Sequence, residues 1–491
     1  MEPGEGSPSR RGWLAPLVAA AALWLVGVHL RSLWGDEFHS LHRVRAEGWR
    51  AFFEVVRGDN HPPLGFLLPR LLVSAFGESE LALRLPSLLA GLGTVLVVER
   101  LGRRLPDGPA RRLAPWLVVL SSFCFMIFTE VRMYGLLALA TAGVLHVLVA
   151  TFEPWRDGRP AVSRWWLAAW IALGLHAHYY FFHTLVALGL VVGWAVARER
   201  ALRPRVLPLV APLLLGLVLF LPWGLWGFTE QLRHGRHSGG TSGLYLNAQG
   251  FAQSLAHLLF MNASLGGKWT TLGVALPGAV AGAVVTLLGL RRLWSTGGAA
   301  RVLGVLASLM AFFVPLWSFL VAHVSPRASY NWRYIAGSAP PLLLLVAAGL
   351  GRWRPWPRAL LGGALVASLA WVTLVNAVSP GQEDYRGAVA FIVERLEPGD
   401  AVLTVPIWPD DPEGSPTGWD WYWPRLEVPA ATLAPLVIPV REHERALEHP
   451  RVWVFRRYRY PPEVLAALRA TFPHEEVTPI GAVMHVHLFT R

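Results

Sequence analysis

Two adjacent carboxylates, Asp36 and Glu37, follow the first long apolar run of the chain, residues 13–33. That run contains no acidic residue and one arginine, Arg31. Carboxylates at the mouth of a membrane span are costly unless they face water, a partner or a substrate. A carboxylate here could act as a general base toward a hydroxyl or amine, or it could hold a metal ion. We predict that Asp36 and Glu37 head an active site, the alternative being a water-facing pair that ends a helix.

A second polar cluster, Glu130-Val131-Arg132-Met133-Tyr134, lies between two apolar runs. If this stretch is helical, Glu130 and Tyr134 share a face and Arg132 points elsewhere. Arginine is suited to bind a phosphate at an interface without water, because its planar guanidinium forms bidentate hydrogen bonds and stays charged. The alternative is a capped turn with a local Glu–Arg ion pair.

Histidines and a second arginine complete the polar set. His176, His178 and Tyr179 fall within one short stretch, and two histidines two residues apart suit a metal if extended but diverge if helical. Substrate hydrogen bonding and a position in the interfacial aromatic belt are the other interpretations. Arg333 and Tyr334 could bind a phosphate or anchor the interface.

The composition is that of an integral membrane protein. The 491 residues are 54% hydrophobic and 15% charged, with a mean hydropathy of +0.41, whereas soluble domains carry closer to a quarter charged residues. Residues 1–379 hold 33 basic and 16 acidic residues, while residues 380–491 hold 11 and 16. The basic excess lies in short loops between apolar runs, where orientation signals belong, and so does not indicate a nucleic-acid partner.

The apolar runs predict about eleven transmembrane helices. Basic residues occupy every second connection, which by the positive-inside rule places the N-terminus in the cytoplasm and the C-terminal region outside. All the polar residues above then fall on the outer side. The predicted spans are residues 13–33, 81–101, 113–129, 131–150, 165–177, 179–197, 206–226, 270–290, 302–324, 334–350 and 359–378.

The chain divides into three predicted regions. Residues 1–12 form a cytoplasmic N-terminus, and residues 13–378 form a transmembrane catalytic domain that includes a first outer loop over 34–80. Residues 379–491 form a small extracytoplasmic α/β domain, because helical spacing over 384–397 and 462–472 alternates with strand patterns over 401–407, 451–455 and 482–489. The Trp- and Pro-rich stretch 408–424 is predicted to be a loop.

The order of these motifs resembles the bacterial membrane glycosyltransferases of the GT-C superfamily. W-x-D-E after the first span is followed by H-P-P-L, E-x-R-M-Y, L-H-x-H-Y-Y and R-Y before paired prolines. Within that superfamily, the chain is similar to the protein O-mannosyltransferase (dolichyl-phosphate-mannose-protein mannosyltransferase-like) and RgtA/B/C/D-like groups over residues 13–350. This resemblance implies a fold of GT-C type with a soluble C-terminal domain.

The resemblance also implies residue roles. Asp36 would be the base that deprotonates the acceptor, and Glu37 would help to orient that acceptor. The donor phosphate would contact three residues, Arg132, Arg333 and Tyr134. The remaining substrate-binding candidates are His61, Glu130, His176, His178, Tyr179 and Tyr334.

The predicted function is transfer of a sugar from a polyprenyl-phosphate donor to a protein, lipopolysaccharide or other glycolipid at the plasma (inner) membrane. Attack at the anomeric carbon with one base and cationic clamps predicts a single displacement with inversion. No cofactor is expected, and a divalent metal is not favoured although the acids and histidines could bind one. The alternative function is a transporter or lipid flippase, but such proteins usually carry internal repeats, and none is evident here.

Overall fold

The computed structural model describes ten segments of the chain. They are residues 12–153, 162–234, 246–260, 268–325, 330–351, 356–381, 383–404, 417–426, 436–456 and 462–491, without the side chains of 234, 268–276, 357–358 and 456. The chain forms two compact units. The first unit comprises Met1–Val28 and Glu47–Ala377, and the second comprises His29–Ala46 and Val378–Arg491.

Helices account for the first unit because a chain that crosses lipid must satisfy its backbone hydrogen bonds internally. Each of the eleven predicted apolar runs lies largely in helix. The helices are α1 (Leu14–Leu30, ending in the second unit), α3 (Gly48–Arg57), α4 (Leu64–Phe76), α5 (Glu80–Gly102), α6 (Gly108–Leu120), α7 (Ser122–Thr129), α8 (Tyr134–Phe152), α9 (Trp166–Ala177), α10 (Phe181–Arg198), α11 (Arg203–Val206), α12 (Val210–Trp223), α13 (Thr229–His234), α14 (Ala248–His257), α15 (Lys268–Ser295), α16 (Gly298–Ser308), α17 (Val314–Val324), α18 (Ala339–Leu350) and α19 (Trp356–Val378), with α2 (Gly35–Val44) in the second unit.

Six helices within the described segments are long and apolar enough to cross a membrane, or up to eight spans if each of two bent helix pairs counts as one. The prediction of eleven spans therefore stays a prediction. One bend interrupts the predicted span 113–129. Helices α6 and α7 meet there at 54°, and the Ser121 hydroxyl accepts the backbone N–H of Cys124 at the start of α7.

Small residues allow a close helix crossing in the first unit, between α15 and α18. A Cβ atom at Gly289 would lie 1.9 Å from the carbonyl oxygen of Leu345, and one at Gly349 would lie 1.9 Å from that of Val285. The two backbones are therefore in direct contact, as small residues permit in membrane bundles.

The second unit contains helix α2 and the C-terminal α/β structure. Its five-stranded sheet has the order β2-β1-β3-β5-β4, where β1 is Ala401–Thr404, β2 Leu436–Pro439, β3 Arg451–Arg456, β4 His474–Ile480 and β5 Met484–Thr490. Strand β1 pairs in parallel with β2 and β3, and the β3–β5 and β5–β4 pairs are antiparallel. Its helices are α20 (Tyr385–Val393), α21 (Gly418–Tyr422), α22 (His443–Ala446) and α23 (Pro462–Thr471).

The fold class is confirmed: a helical membrane protein with a small C-terminal α/β domain. Strands β1, β3 and β5 and helices α20 and α23 lie where the sequence patterns predicted them, although residues 405–407 of the first predicted strand lie outside the described segments. The prediction of a loop over 408–424 was wrong for its last residues. Thr417 and Asp420 cap each other's backbone N–H groups, and this reciprocal cap starts helix α21.

Candidate functional site

Five side chains of the first unit form an aromatic cluster: His61, Tyr134, His178, Tyr180 and Tyr334. The ring centroids of His178 and Tyr334 are 5.0 Å apart, those of Tyr180 and Tyr334 4.8 Å, and those of His61 and His178 5.4 Å. Tyr134 lies 5.7 Å from His178. The cluster thus unites four separate connections of the predicted outer side. In the same unit, side chains of α4, α5, α8 and α9 pack around Ala90, Leu136 and Ala177.

His61 is held by an acidic neighbour, Asp59, that the sequence analysis did not single out. Asp59 Oδ1 lies 2.8 Å from His61 Nδ1, and it also accepts the backbone N–H groups of Asn60 at 2.6 Å and His61 at 3.0 Å. Because a carboxylate only accepts, the proton of this pair sits on His61 Nδ1. Asp59 and His61 are both buried. The Asp-x-His spacing was the available signal, since a turn brings such residues together.

Arg132 lies in the irregular segment between α7 and α8, so the helical arrangement considered for Glu130 and Tyr134 does not apply. The Ser87 hydroxyl lies within hydrogen-bonding distance of two carbonyl oxygens of this segment, 2.7 Å from that of Glu130 and 3.0 Å from that of Arg132. The Arg132 guanidinium lies 5.7 Å from the centre of the Tyr134 ring. Glu130 and Arg132 are both buried. A buried cation therefore borders the aromatic cluster.

His178 presents a buried hydrogen-bond donor. It follows the last residue of α9 in an extended conformation, and its Nδ1 accepts the backbone N–H of Tyr180 at 3.1 Å. In the neutral ring Nε2 then carries the hydrogen. The side chain is 3% exposed, and Nε2 has no hydrogen-bond partner among the described residues. A buried donor without a partner is costly, so a ligand oxygen is its expected partner.

His176 and Tyr179 make other contacts than their neighbour His178. His176 Nδ1 lies 2.9 Å from the carbonyl oxygen of Ala172 in its own helix, and its ring packs 5.3 Å from Phe220. The Tyr179 hydroxyl accepts from Trp223 Nε1 at 2.9 Å and donates to Gln231 Oε1. These two residues thus contact the scaffold beside the cluster.

Gln231 links that scaffold to the turn that carries His61. Its Nε2 donates to the carbonyl oxygens of Val56 at 2.9 Å and His61 at 3.2 Å, while its Oε1 accepts from Tyr179. One buried amide therefore joins the connection before α4 to that before α10. Glutamine gave no local signal for this role, because its partners lie more than 50 positions away in the sequence.

Arg333 and Tyr334 precede α18. Tyr334 belongs to the aromatic cluster, whereas the Arg333 guanidinium stacks on Trp332 at 4.7 Å from the ring centre. The following turn packs tightly on α8, since a Cβ atom at Gly337 would lie 2.5 Å from Thr141 Oγ1. This contact sets the position from which Tyr334 reaches the cluster.

Asp36 and Glu37 lie in the first turn of α2, in the second unit. Glu37 is 1% exposed, and its Oε2 accepts the backbone N–H of Trp34 at 3.2 Å, so this carboxylate caps its own helix. Asp36 is half-buried. Negative charge at a helix N-terminus is favoured by the helix dipole, so the first turn of α2 suits both acids.

The segment that carries Asp36 is bound by residues from the other end of the chain. Glu383 Oε2 accepts the Gly35 backbone N–H at 2.8 Å, and the Tyr422 hydroxyl accepts that of Leu33 at 2.6 Å. These long-range contacts put residues 29–46 in the same compact unit as the C-terminal domain. Beside Glu383, burial raises the pKa of Asp384, opposed by the Gly387 backbone N–H and by Arg386.

The described part of the chain contains no group of three or more His, Cys, Asp or Glu side chains arranged to hold a metal ion. The two histidines of the cluster are flanked by tyrosines and an arginine, and such a set is suited to an anion with an apolar attachment. The donor types alone therefore favour a phosphate ester as the ligand.

Two solved structures show the fold of this chain. The crystal structure of ArnT from Cupriavidus metallidurans bound to undecaprenyl phosphate aligns over 98% of both chains, with a TM-score of 0.55 and 16% identity. The apo oligosaccharyltransferase from Archaeoglobus fulgidus aligns over 87% of this chain and 61% of that one, with a TM-score of 0.50 and 12% identity.

At the sequence level, residues 60–226 match the family model described as dolichyl-phosphate-mannose-protein mannosyltransferase. No curated protein matches the chain. The predicted resemblance to GT-C membrane glycosyltransferases is confirmed by this match together with the fold. The matched segment begins beside His61 and contains Arg132, Tyr134 and His178.

Proposed function

We propose that this protein is a membrane glycosyltransferase that moves a sugar from a polyprenyl-phosphate donor to an acceptor on the extracytoplasmic face of the plasma membrane. The observation that carries the proposal is the buried Nε2–H of His178, without a hydrogen-bond partner among the described residues, in a cluster bordered by Arg132. The family match over residues 60–226 supports it, as does the fold, which is that of a protein solved with undecaprenyl phosphate.

In this proposal, the donor phosphate is held by Arg132, His61 and His178. Arg132 supplies fixed charge, and the two imidazoles supply N–H donors at defined positions. The ring faces of Tyr134, Tyr180 and Tyr334 offer an apolar wall beside those donors. Arg333 directly precedes Tyr334 in the sequence. In this proposal it supplies a second cation near the same phosphate.

Asp36 is the proposed base. The acceptor oxygen or nitrogen attacks the anomeric carbon of the donor as its proton passes to the Asp36 carboxylate. The bond from that carbon to the phosphate oxygen breaks, and the polyprenyl phosphate leaves with the electron pair. The growing negative charge on the phosphate is stabilised by the cation and N–H donors, so no strong general acid is needed. One displacement inverts the anomeric configuration.

The test is transfer in membranes supplied with a panel of undecaprenyl-phosphate-linked hexoses and pentoses, together with binding of undecaprenyl phosphate to the purified protein. Asp36→Asn is expected to lower turnover by about 10²- to 10⁴-fold with binding retained, since it removes only the base. Arg132→Ala and His178→Phe are expected to weaken binding. Glu37→Gln is expected to cost much less turnover than Asp36→Asn, because an amide oxygen can still cap Trp34.

Arg103→Ala is the matched control, since Arg103 is exposed and forms an ion pair with Glu99 in its own helix turn. Full turnover in Asp36→Asn would show that the base is misassigned. Transfer of none of the panel sugars by the wild-type protein, with no binding of undecaprenyl phosphate, would contradict the proposed function itself.

A further inference from the structure

The backbone before Asp36 is bound at several points by the C-terminal part of the second unit. The Arg386 side chain donates to the His29 carbonyl oxygen at 2.7 Å, and the Ser32 backbone N–H donates to the Pro380 carbonyl oxygen at 3.0 Å. The Ser32 hydroxyl accepts the Arg386 backbone N–H at 3.1 Å. Residues 29–32 therefore have their conformation set by residues about 350 positions later.

Two further side chains, Tyr422 and Glu383, bind the backbone between Ser32 and the first residue of the helix that carries Asp36. The buried Tyr422 hydroxyl accepts the Leu33 N–H at 2.6 Å and contacts the Ser32 hydroxyl at 3.2 Å. The buried Glu383 carboxylate accepts the N–H of Gly35, the first residue of α2, at 2.8 Å. That N–H has no partner within the helix, so Glu383 satisfies the helix start and complements its dipole.

Ring contacts extend the same arrangement along α2. Phe38 packs edge-on against Tyr385 with centroids 5.2 Å apart, and the Arg45 guanidinium lies 5.5 Å from the Trp421 ring centre. Hydrogen bonds thus fix the entry of the helix, and side-chain packing fixes its rotation. Asp36 is the second residue of α2, so its carboxylate direction follows from both.

We infer that Glu383 and Tyr422 are positioning residues for Asp36, so that the C-terminal domain is a working part of the transferase. The inference rests on the proposed function, in which Asp36 is the base. Neither side chain needs to touch substrate. Glu383 holds the backbone N–H of Gly35, one residue before Asp36, and Tyr422 holds that of Leu33, three residues before it. Loss of either hydrogen bond lets the start of α2 shift. A displacement of about 1 Å can cost roughly 10²-fold in rate.

The experiment uses the full-length protein in detergent or membranes with the variants Tyr422→Phe, Glu383→Ala and Glu383→Gln. Tyr422→Phe removes one oxygen, and Glu383→Ala removes the acceptor for Gly35. Both are expected to lower kcat at least about tenfold, with the Kd for undecaprenyl phosphate within twofold of wild type. Glu383→Gln is expected to retain more turnover than Glu383→Ala, because its amide oxygen can still accept the Gly35 N–H.

Glu475→Gln is the matched control. It alters the carboxylate on β4 that binds Arg469 and His487, hydrogen bonds in which neither α21 nor residues 29–38 take part. It is expected to destabilise the domain and leave kcat near wild type. If Glu475→Gln lowers kcat as much as Tyr422→Phe does, domain stability and not positioning explains the effect, and the inference is overturned.

Hydrogen exchange gives a second readout that does not depend on turnover. Tyr422→Phe is expected to raise exchange at the amides of residues 33–40 relative to Glu475→Gln. Wild-type exchange and wild-type kcat in Tyr422→Phe and Glu383→Ala would overturn the inference even if Asp36→Asn is inactive. Conversely, full turnover in Asp36→Asn would show that Asp36 is not the base, while raised exchange in Tyr422→Phe would still support the binding of α2 by the C-terminal residues. Failure of the proposed function and failure of this inference are therefore distinguishable.

Discussion

The His61 imidazole has a fixed orientation, which suits it to bind an anion in one direction. Asp59 fixes that orientation through one oxygen, which also accepts two backbone N–H groups of the turn. The remaining ring nitrogen of His61, Nε2, is thereby directed away from Asp59. A lysine could also bind an anion at this position, but without the imposed direction.

Asp59→Asn is predicted to weaken binding of undecaprenyl phosphate by roughly tenfold or more, because His61 loses the carboxylate that fixes the orientation of its ring. The double variant Asp59→Asn/His61→Lys is predicted to recover most of that affinity, since the lysine ammonium binds a phosphate without a fixed ring orientation. Equilibrium binding to the purified protein measures both effects. Glu54→Gln is the control, as Glu54 is an exposed carboxylate of the neighbouring helix α3. Wild-type affinity in Asp59→Asn would show that His61 does not act on the phosphate.

At the level of helices, the first unit depends on close backbone approach as well as on apolar composition. Residues Gly289 and Gly349 allow α15 and α18 to cross with no side chain between them. Without a hydrophobic force between helices in lipid, van der Waals contact and shape complementarity carry such an interface. Helix α18 in turn follows directly on the turn that brings Tyr334 to the aromatic cluster.

Gly349→Ala is predicted to cost at least about 3 kcal/mol, since the new methyl group would lie 1.9 Å from the Val285 carbonyl oxygen and two helices must separate. Gly363→Ala in α19 is the matched control, because a Cβ atom there meets nothing within 4 Å. The yield of monodisperse protein and its melting temperature in detergent compare the two variants. Equal stability of the two would contradict the packing described for α15 and α18.

Taken as a whole, the molecule has its charge divided unevenly along the chain. The membrane-embedded part carries most of the arginine, whereas residues 380–491 carry 16 acids and 11 basic residues. The stabilisation that charged pairs at the surface of the C-terminal sheet provide is therefore expected to depend on pH. Glu475 on β4 accepts a bidentate hydrogen bond from Arg469 at 2.7 and 3.0 Å and also contacts His487 Nδ1 at 2.8 Å. The Arg469 guanidinium is the main cause that lowers the pKa of Glu475.

A carboxylate with a lowered pKa in the folded state stabilises that state at neutral pH, and the stabilisation disappears as pH falls through the acid range. Glu475→Gln is therefore predicted to lower the melting temperature by a few degrees at pH 7, and this difference should disappear once the pH falls below the lowered pKa of Glu475. Melting followed by tryptophan fluorescence measures it, with exposed Glu476→Gln as the control. A difference that persists at acid pH would contradict an electrostatic origin.

Local pattern was sufficient for much of this protein. Long apolar stretches can satisfy their backbone in lipid only as helices, so the positions of helices such as α5, α8 and α10 followed from composition. The alternation in Arg451–Phe455 likewise predicted strand β3, while β2 and β4 were missed because their apolar patterns are short and irregular. The residue types at positions 36, 61, 132 and 178 were enough to indicate anion-binding and acid–base chemistry.

Folding over long sequence distances determined the rest. Local sequence could not indicate that Asp59 would hold His61, that Gln231 would join two outer connections, or that His176 would face Phe220 while His178 enters the cluster. Nor could it show that residues 29–46 belong with the C-terminal unit, because the contacts responsible join residues about 350 positions apart. A side chain's type and the period of its segment are local properties. Its partner depends on how distant helices cross, and only the folded chain specifies that.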